Sequence, residues 1–312
     1  MLRKLVSVCL FLALFVSSAL AEGEFPALNS EGFLDEGEFV YENPDAGLWR
    51  YASPTLKVEI NRRTLSEPRK VIWYEAEVWC RGGEVWQLFT NEEGKHMGGN
   101  TWPYIVARKN GAVLAISTDF AQYRYPKKDK KVGIVIRNGR VYSNKTMKGT
   151  YTGFPPLEVL ALYPDGMMEV YESDAKTAEE YLAMGVDSTL VFGPILIQDG
   201  VYNQEVVEKY GERRAPRAAV GMVEKGHYFA MMLEGRHKES KGGSMAFLAE
   251  RMMEKQCTLA FNLDGGETAC ILFMGKQLNV VGGAKNKNGN ARRTTELLGI
   301  GVSEKVPEYP AK

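Results

Sequence analysis

Residues 262–268, Asn-Leu-Asp-Gly-Gly-Glu-Thr, place an amide, two carboxylates and a hydroxyl around a pair of glycines. Asp264 and Glu267 are the kind of groups that protonate a leaving group, activate water or attack an anomeric carbon. Glycine at 265 and 266 lets the backbone turn sharply or lets a ligand approach closely. Asp119 is a third acid, delivered by the apolar run Ala112–Ile116. Arg217, in Ala-Pro-Arg-Ala-Ala-Val-Gly, precedes another apolar run, and the pair Arg236-His237 follows a third. Paired carboxylates beside a guanidinium suit hydrolysis next to an anionic leaving group: the acids work at the sugar carbon and the guanidinium grips phosphate through two parallel hydrogen bonds. Taken singly, each residue also has a plain reading. Asp-Gly is a common turn signal, with the aspartate bonding nearby backbone. A lone arginine or acid serves equally in a surface ion pair.

These groups need elements that bring them together. Thr258–Leu263 reads as a short buried strand opening into the polar loop, and Ala112–Ile116 as a strand buried on both faces. Leu56–Ile60 and Val71–Trp79 have the alternation and β-branched or aromatic content of strands. Hairpins are expected at 133–142 through Asn138-Gly139, at 157–171 through Asp165-Gly166, at 218–233 through Lys225-Gly226 and at 271–281 through Gly275-Lys276. Ser188–Phe192 and Ile195–Ile197 flank Gly193-Pro194 as two more strands. Helices are expected over 104–109, over 177–184 behind a Thr177-x-x-Glu180 capping box, and over 244–255, where Met245, Leu248 and Met252 share a face. Residues 22–49 carry eight acids and no Lys or Arg, which predicts an acidic, extended lead-in. Residues 284–292 read as a mobile loop. The class that follows is α+β: a strand-dominated mixed sheet with two or three packed helices in a single domain over 50–312.

Lysine plus arginine and aspartate plus glutamate number 39 each, so the whole chain has no electrostatic footprint for nucleic acid. Residues 1–21 have a short basic start, an apolar run at Leu5–Val16 and a small-x-small ending at Ala19–Ala21. That is the pattern of a cleavable secretory signal, giving a secreted protein, extracellular or periplasmic. No other apolar run is long enough for a helical membrane span in the mature chain. Cys80, Cys257 and Cys270 remain: either Cys257 bridges Cys270 or all three are buried free thiols. His96, His227 and His237 lack zinc-ligand spacing, and no cofactor is expected.

Seven short motifs occur in an order that resembles the phosphodiester glycosidase family: 115–120, 135–139, 192–196, 216–221, 234–236, the helix 244–253 and 262–266. The motif core spans 73–301. The resemblance implies a secreted hydrolase that cleaves a sugar-1-phosphodiester of the N-acetylglucosamine-1-phosphodiester kind in a cell-surface or extracellular glycan, related also to bacterial exopolysaccharide-biosynthesis members. It implies catalytic roles for Asp264, Asp119 and Arg217. It lines the pocket with Asn262, Gly265, Gly266 and Arg236, extended here to Glu267 and Thr268. The chain departs from the family pattern at Ser117-Thr118 for Asn-Gly, at Glu234 for the Asp of Asp-Gly-Arg, and at Glu267-Thr268-Ala269 for Gly-Ser-Ser/Thr. A glutamate at 267 sets negative charge where a phosphate would approach. Two alternatives follow: an inactive relative that binds carbohydrate, and a variant in which Asp264 and Glu267 hold a divalent cation.

Overall fold

The computed structural model describes residues 24–92, 96, 99–119, 133–145, 156–210, 213–283 and 288–309, and the expected signal segment lies outside them. In chain order the strands are β1 (Phe39–Asn43), β2 (Leu48–Ala52), β3 (Leu56–Leu65), β4 (Val71–Cys80), β5 (Gln87–Thr90), β6 (Ala112–Ile116), β7 (Gly133–Arg137), β8 (Arg140–Lys145), β9 (Glu158–Leu162) and β10 (Met168–Tyr171). They continue with β11 (Ser188–Phe192), β12 (Ile195–Gln198), β13 (Val201–Tyr202), β14 (Arg217–Glu224), β15 (His227–Leu233), β16 (Leu259–Leu263), β17 (Ile271–Phe273), β18 (Lys276–Gln277) and β19 (Glu296–Val302). The helices among the described residues are α1 (Pro103–Lys109), α2 (Ala178–Ala183), α3 (Gln204–Tyr210) and α4 (Met245–Glu254). The protein is therefore a strand-dominated α+β fold.

Two antiparallel sheets make the frame. One has nine strands in the order β1-β2-β3-β4-β15-β14-β16-β12-β13, and the other has five in the order β18-β17-β6-β19-β5. They face each other across the largest core cluster. Val58, Val220, Phe261 and Leu263 come to it from the first sheet, and Leu114, Ile116, Phe273 and Ile300 from the second. The outer face of the nine-stranded sheet is covered by α4, with Leu248 and Met252 against Ala219, Phe229 and Ala260. The outer face of the five-stranded sheet is covered by α1 through Val106 and Ala107. Strands β6 and β16 are buried along their whole length, because each has a sheet or helix on both sides. That is why they read as unbroken apolar runs rather than alternating ones. Helix α4 starts where Ser244 Oγ accepts from Phe247 N at 3.1 Å, the cap its sequence promises. The Thr177–Glu180 capping box opens α2 as expected.

Three features differ from the sequence reading. The acidic stretch enters the sheet, since β1 and β2 pair in register from Phe39↔Ala52 to Asn43↔Leu48. Strand β19, unanticipated, lies in the five-stranded sheet between β6 and β5. Its glycines interrupt the apolar pattern, and Gly299 is needed there because a Cβ would meet Phe89 at 2.3 Å. Helix α3 was also unanticipated. Of the two readings of the cysteines the free-thiol one holds: Cys80, Cys257 and Cys270 are all free, Cys257 and Cys270 buried and Cys80 half-buried. Cys257 packs under α4 while Cys270 lies on the outer face of the other sheet, so the sandwich itself separates them.

One partly buried cluster gives a pH test. Glu77 on β4 accepts from His227 Nε2 at 3.0 Å and from Lys255 Nζ at 2.9 Å. His227, ahead of Lys255 and against the opposing effect of burial, holds the Glu77 carboxyl down at about 2. An unfolded glutamate titrates near about 4.3. The pair's contribution to stability is therefore complete above that value and is lost as pH falls from there toward 2. Melting temperature is expected to drop more steeply across that window in the wild type than in Glu77→Gln, as followed by circular dichroism.

Candidate active site

Along β16, Leu259, Phe261 and Leu263 face the inter-sheet core and Ala260 faces α4. The two-residue period puts Asn262 on the α4 side. Asn262 is a clamp: its Nδ2 donates to Gly193 O at 2.8 Å, and its own N and O bond Pro194 O and Gly193 N at 3.1 and 3.2 Å. Asp264 leaves the strand toward β6, its N donating to Thr118 O at 2.9 Å. That single bond joins the ends of two strands in different sheets, and it brings Asp119 and Asp264 to one place.

The loop beyond Asp264 is shaped by its glycines. A Cβ on Gly265 would lie 2.5 Å from Pro216 O, and Gly266 N donates to that same oxygen at 2.9 Å. Gly266 has φ +60°, and the Arg236 guanidinium passes over it, 3.3 Å from where its Cβ would be. Residues 266–268 then make one turn of 3-10 helix. This turn aims Thr268 Oγ1 back at Asp264, to which it donates at 2.8 Å. Arg292 closes the group: its Nε donates to Thr268 Oγ1, its Nη2 lies 3.5 Å from Asp264 Oδ2, and its N donates to Glu267 O at 2.8 Å. Asp264 is thus a buried carboxylate held by a hydroxyl and a cation. Glu267 is half-buried, with Oε1 3.6 Å from where a Cβ on Gly283 would sit.

Arg217 opens β14. The register pairs Ala218 with Leu263, so Arg217 comes opposite Asp264 one step further on. Its guanidinium is buried and, among the described residues, donates to backbone carbonyls, Gly243 O at 3.0 Å and Arg213 O at 2.8 Å. Among the described residues no carboxylate pairs with it. Burial first, then the charges of Arg213 and Arg236, bring its pKa down to about 10, which leaves it a cation at neutral pH. A buried cation among cations is a standing electrostatic cost that a bound anion relieves.

Asp119 is buried and held from two sides. Its Oδ2 accepts from Arg137 Nη2 at 2.9 Å and from Val191 N at 3.0 Å. Arg137 also donates to Glu296 Oε1 at 3.0 Å from Nε and 2.8 Å from Nη2, and to Thr189 O. Glu296 in turn contacts His96 Nδ1 at 3.0 Å. All four side chains are buried. The sequence reading missed Arg137, Glu296 and Arg292. The available signal was one charge inside an apolar run, as in Gly-Ile-Val-Ile-Arg137 and Glu296-Leu-Leu-Gly-Ile. Arg292 was assigned to a mobile loop, yet it bonds Thr268.

His237 does not reach the acids of the loop. It faces Glu234, Nε2 to Oε2 3.1 Å. Glu234 also accepts from Val280 N at 2.8 Å and from Tyr74 OH at 3.4 Å, and burial pushes its carboxyl up. The glutamate that replaces the family's aspartate therefore ties the 234–237 turn to β4 and to Val280. Among the described residues, no group of three or more His, Cys, Asp or Glu is arranged to hold a metal ion.

A family model described as phosphodiester glycosidase matches residues 110–300. The SPbeta prophage-derived uncharacterized protein YomE of Bacillus subtilis is 24% identical over 176 residues, 56% of this chain and 26% of that protein. The chain thus spans about a quarter of the length of this curated relative. Among solved structures, the catalytic domain of zebrafish N-acetylglucosamine-1-phosphodiester alpha-N-acetylglucosaminidase, auto-inhibited by its pro-peptide, aligns with a TM-score of 0.60. The identity is 14%, covering 80% of this chain and 84% of that one. A putative exported protein from Burkholderia pseudomallei aligns with a TM-score of 0.53 at 13% identity, covering 76% and 75%. At these identities the likeness to solved structures is one of fold.

Proposed function

Because the chain belongs to the phosphodiester glycosidase family, we propose that it hydrolyses a sugar-1-phosphodiester of the N-acetylglucosamine-1-phosphodiester kind, in a cell-surface or extracellular glycan reached by secretion. The observation that carries this reading is Arg217, a buried guanidinium with no acid partner among the described residues, across the strand register from Asp264. Phosphate seated on Arg217, with Arg236 above Gly266, puts the sugar's C1 toward the carboxylates. Water adds across the C1–O bond: the sugar keeps a hydroxyl at C1, and the phosphate departs as a monoester.

The environments of the two aspartates fit that leaving group. Each has a guanidinium beside it, Arg292 for Asp264 and Arg137 for Asp119. A neighbouring cation favours the ionised carboxylate. Ionised acids suit base, nucleophilic or electrostatic work rather than proton donation. A phosphate monoester leaves as an anion and needs no proton, so charge neutralisation by Arg217 takes the place of a general acid. Asp264 is the group assigned to C1. Asp119 acts as the second, fixed carboxylate. Asn262 acts through the Gly193-Pro194 turn that it clamps, and Thr268 through Asp264.

The second reading, a relative that binds glycan without cleaving it, is favoured by Glu267, an acid next in the chain to Gly266, over which Arg236 passes. The deciding assay follows sugar release from an N-acetylglucosamine-1-phosphodiester by the mature protein, with and without EDTA. Wild type is expected to turn over, with EDTA making no difference. Arg217→Met is expected to lower kcat/KM by about 100- to 1,000-fold, the scale seen when one charge-stabilising donor is removed. No turnover in wild type together with turnover in Glu267→Gly would identify Glu267 as the block. No turnover in either, with glycan binding retained, would establish the binding reading.

A further inference from the structure

Acids and bases balance over the whole chain, but not in three segments that meet beside Arg217. Residues 62–70, 213–217 and 236–241 hold ten Lys and Arg against two carboxylates, Glu67 and Glu239. They are far apart in sequence and are joined in the fold. Ala215 and Gly243 exchange backbone hydrogen bonds at 3.2 Å, and Lys241 N donates to Lys70 O at 2.9 Å. Ile72 N donates to Ser240 Oγ at 3.0 Å, just past the first segment. Strand register supplies a second link. Arg217 pairs with Leu233, Leu233 with Trp73, and Trp73 with Arg63. Residues opposite one another share a face, so Arg217 and Arg63 end one row, three strand spacings or about 14 Å apart.

Part of this charge is neutralised: Glu75 lies 3.4 Å from Arg63. Glu239 is shared by Lys70 at 3.2 Å and Lys238 at 3.6 Å. Lys238 is 90% exposed and Lys70 59%. Arg69, Arg213, Arg236 and Lys241 are exposed as well. A single run of charge is ordinarily a solvated face. Three runs converging at the mouth of an anion seat, on a chain of zero net charge, raise the local concentration of a polyanion there.

We propose that the natural substrate is a polymer of glycosyl phosphodiester repeats, whose further anionic linkages lie along this rim while one linkage occupies the seat at Arg217. The inference rests on the phosphodiester glycosidase reading for the bond that is cut. It adds the substrate class: a repeating polyanion rather than a single capped linkage.

The test measures binding, so it does not depend on turnover. Asp264→Asn protein is titrated with a labelled oligomer of N-acetylglucosamine-1-phosphate and with a single-linkage phosphodiester, between about 50 and 200 mM salt. The oligomer is expected to bind at least about tenfold more tightly per molecule, with the steeper salt dependence that release of several counterions produces. Adding Arg69→Glu, Lys70→Glu and Lys238→Glu together is expected to weaken oligomer binding about tenfold more than single-linkage binding. A second combination, Lys238→Glu with Lys241→Glu, repeats the measurement should the first unfold. Equal affinity for oligomer and single linkage overturns the proposal. So does equally tight binding of a single-stranded DNA oligomer of the same charge, which would make the rim a general polyanion surface. Absence of sugar release from the single-linkage compound by wild type would instead overturn the hydrolase reading and leave this measurement standing.

Discussion

Asp264→Asn is expected to lower kcat for sugar release by about 1,000-fold or more while leaving KM within a few-fold of wild type. The asymmetry follows from the division of labour at the loop. In the proposed seating the phosphate rests on Arg217 and Arg236, which the substitution does not touch, so binding of the ground state is expected to survive. The work at C1 is assigned to the carboxylate, which an amide cannot replace as base or nucleophile. Asn is nearly isosteric and can still accept from Thr268, whose Oγ1 lies 2.8 Å from Asp264 Oδ2. The fold should therefore be retained, and an unchanged far-ultraviolet spectrum would separate lost chemistry from lost structure. A variant that keeps wild-type kcat would remove Asp264 from the mechanism.

Arg137→Met is expected to be the most destabilising single substitution near the site. Its guanidinium has no solvent exposure and lies between Asp119 at 2.9 Å and Glu296 at 2.8 Å. Methionine fills much of the volume, but it removes the guanidinium that two buried carboxylates share. Breaking a buried ion pair from one side costs about 3–5 kcal/mol. For a domain of this size that is a fall of roughly 10 °C in Tm. Pairing it with Glu296→Gln should recover part of the loss, because one of the stranded charges is then removed. Scanning calorimetry on the three proteins reads this directly. Recovery by the double variant is what distinguishes a stranded charge from simple loss of packing.

Much of the frame was legible in the sequence because it rests on local rules. Apolar runs without alternation marked β6 and β16, and both are buried on two faces. Asn138-Gly139 and Asp165-Gly166 marked hairpins that form in the expected places. Strand β19 was not legible, since glycines at 299 and 301 dilute its pattern, and their reason is a neighbour, Phe89 or Leu56, that only the tertiary structure supplies. The same divide runs through the site. Asp264, Arg217 and Asp119 stood out as polar residues at the ends of apolar runs. Their partners, Arg292 for Asp264 and Arg137 for Asp119, come from a different sheet or the approach to it, and pairings at long range leave no mark on local spacing. His237 also followed an apolar run, but it faces Glu234, which Tyr74 and Val280 tie into the scaffold.

The Asp264 N to Thr118 O bond ties the two sheets together at the site. Asp264 and Arg217 hang from the nine-stranded sheet, whereas Asp119 follows β6 and Arg292 approaches β19 in the five-stranded one. Neither sheet owns a complete set of groups. The site is therefore a docking product, present only while the two halves of the sandwich are in contact. Local opening that slides one sheet against the other, with every strand still paired, would disperse the aspartates before any secondary-structure signal changed. Catalysis in mild denaturant thus becomes a gauge of inter-sheet contact, and its loss ahead of the circular dichroism transition would time the separation of the layers.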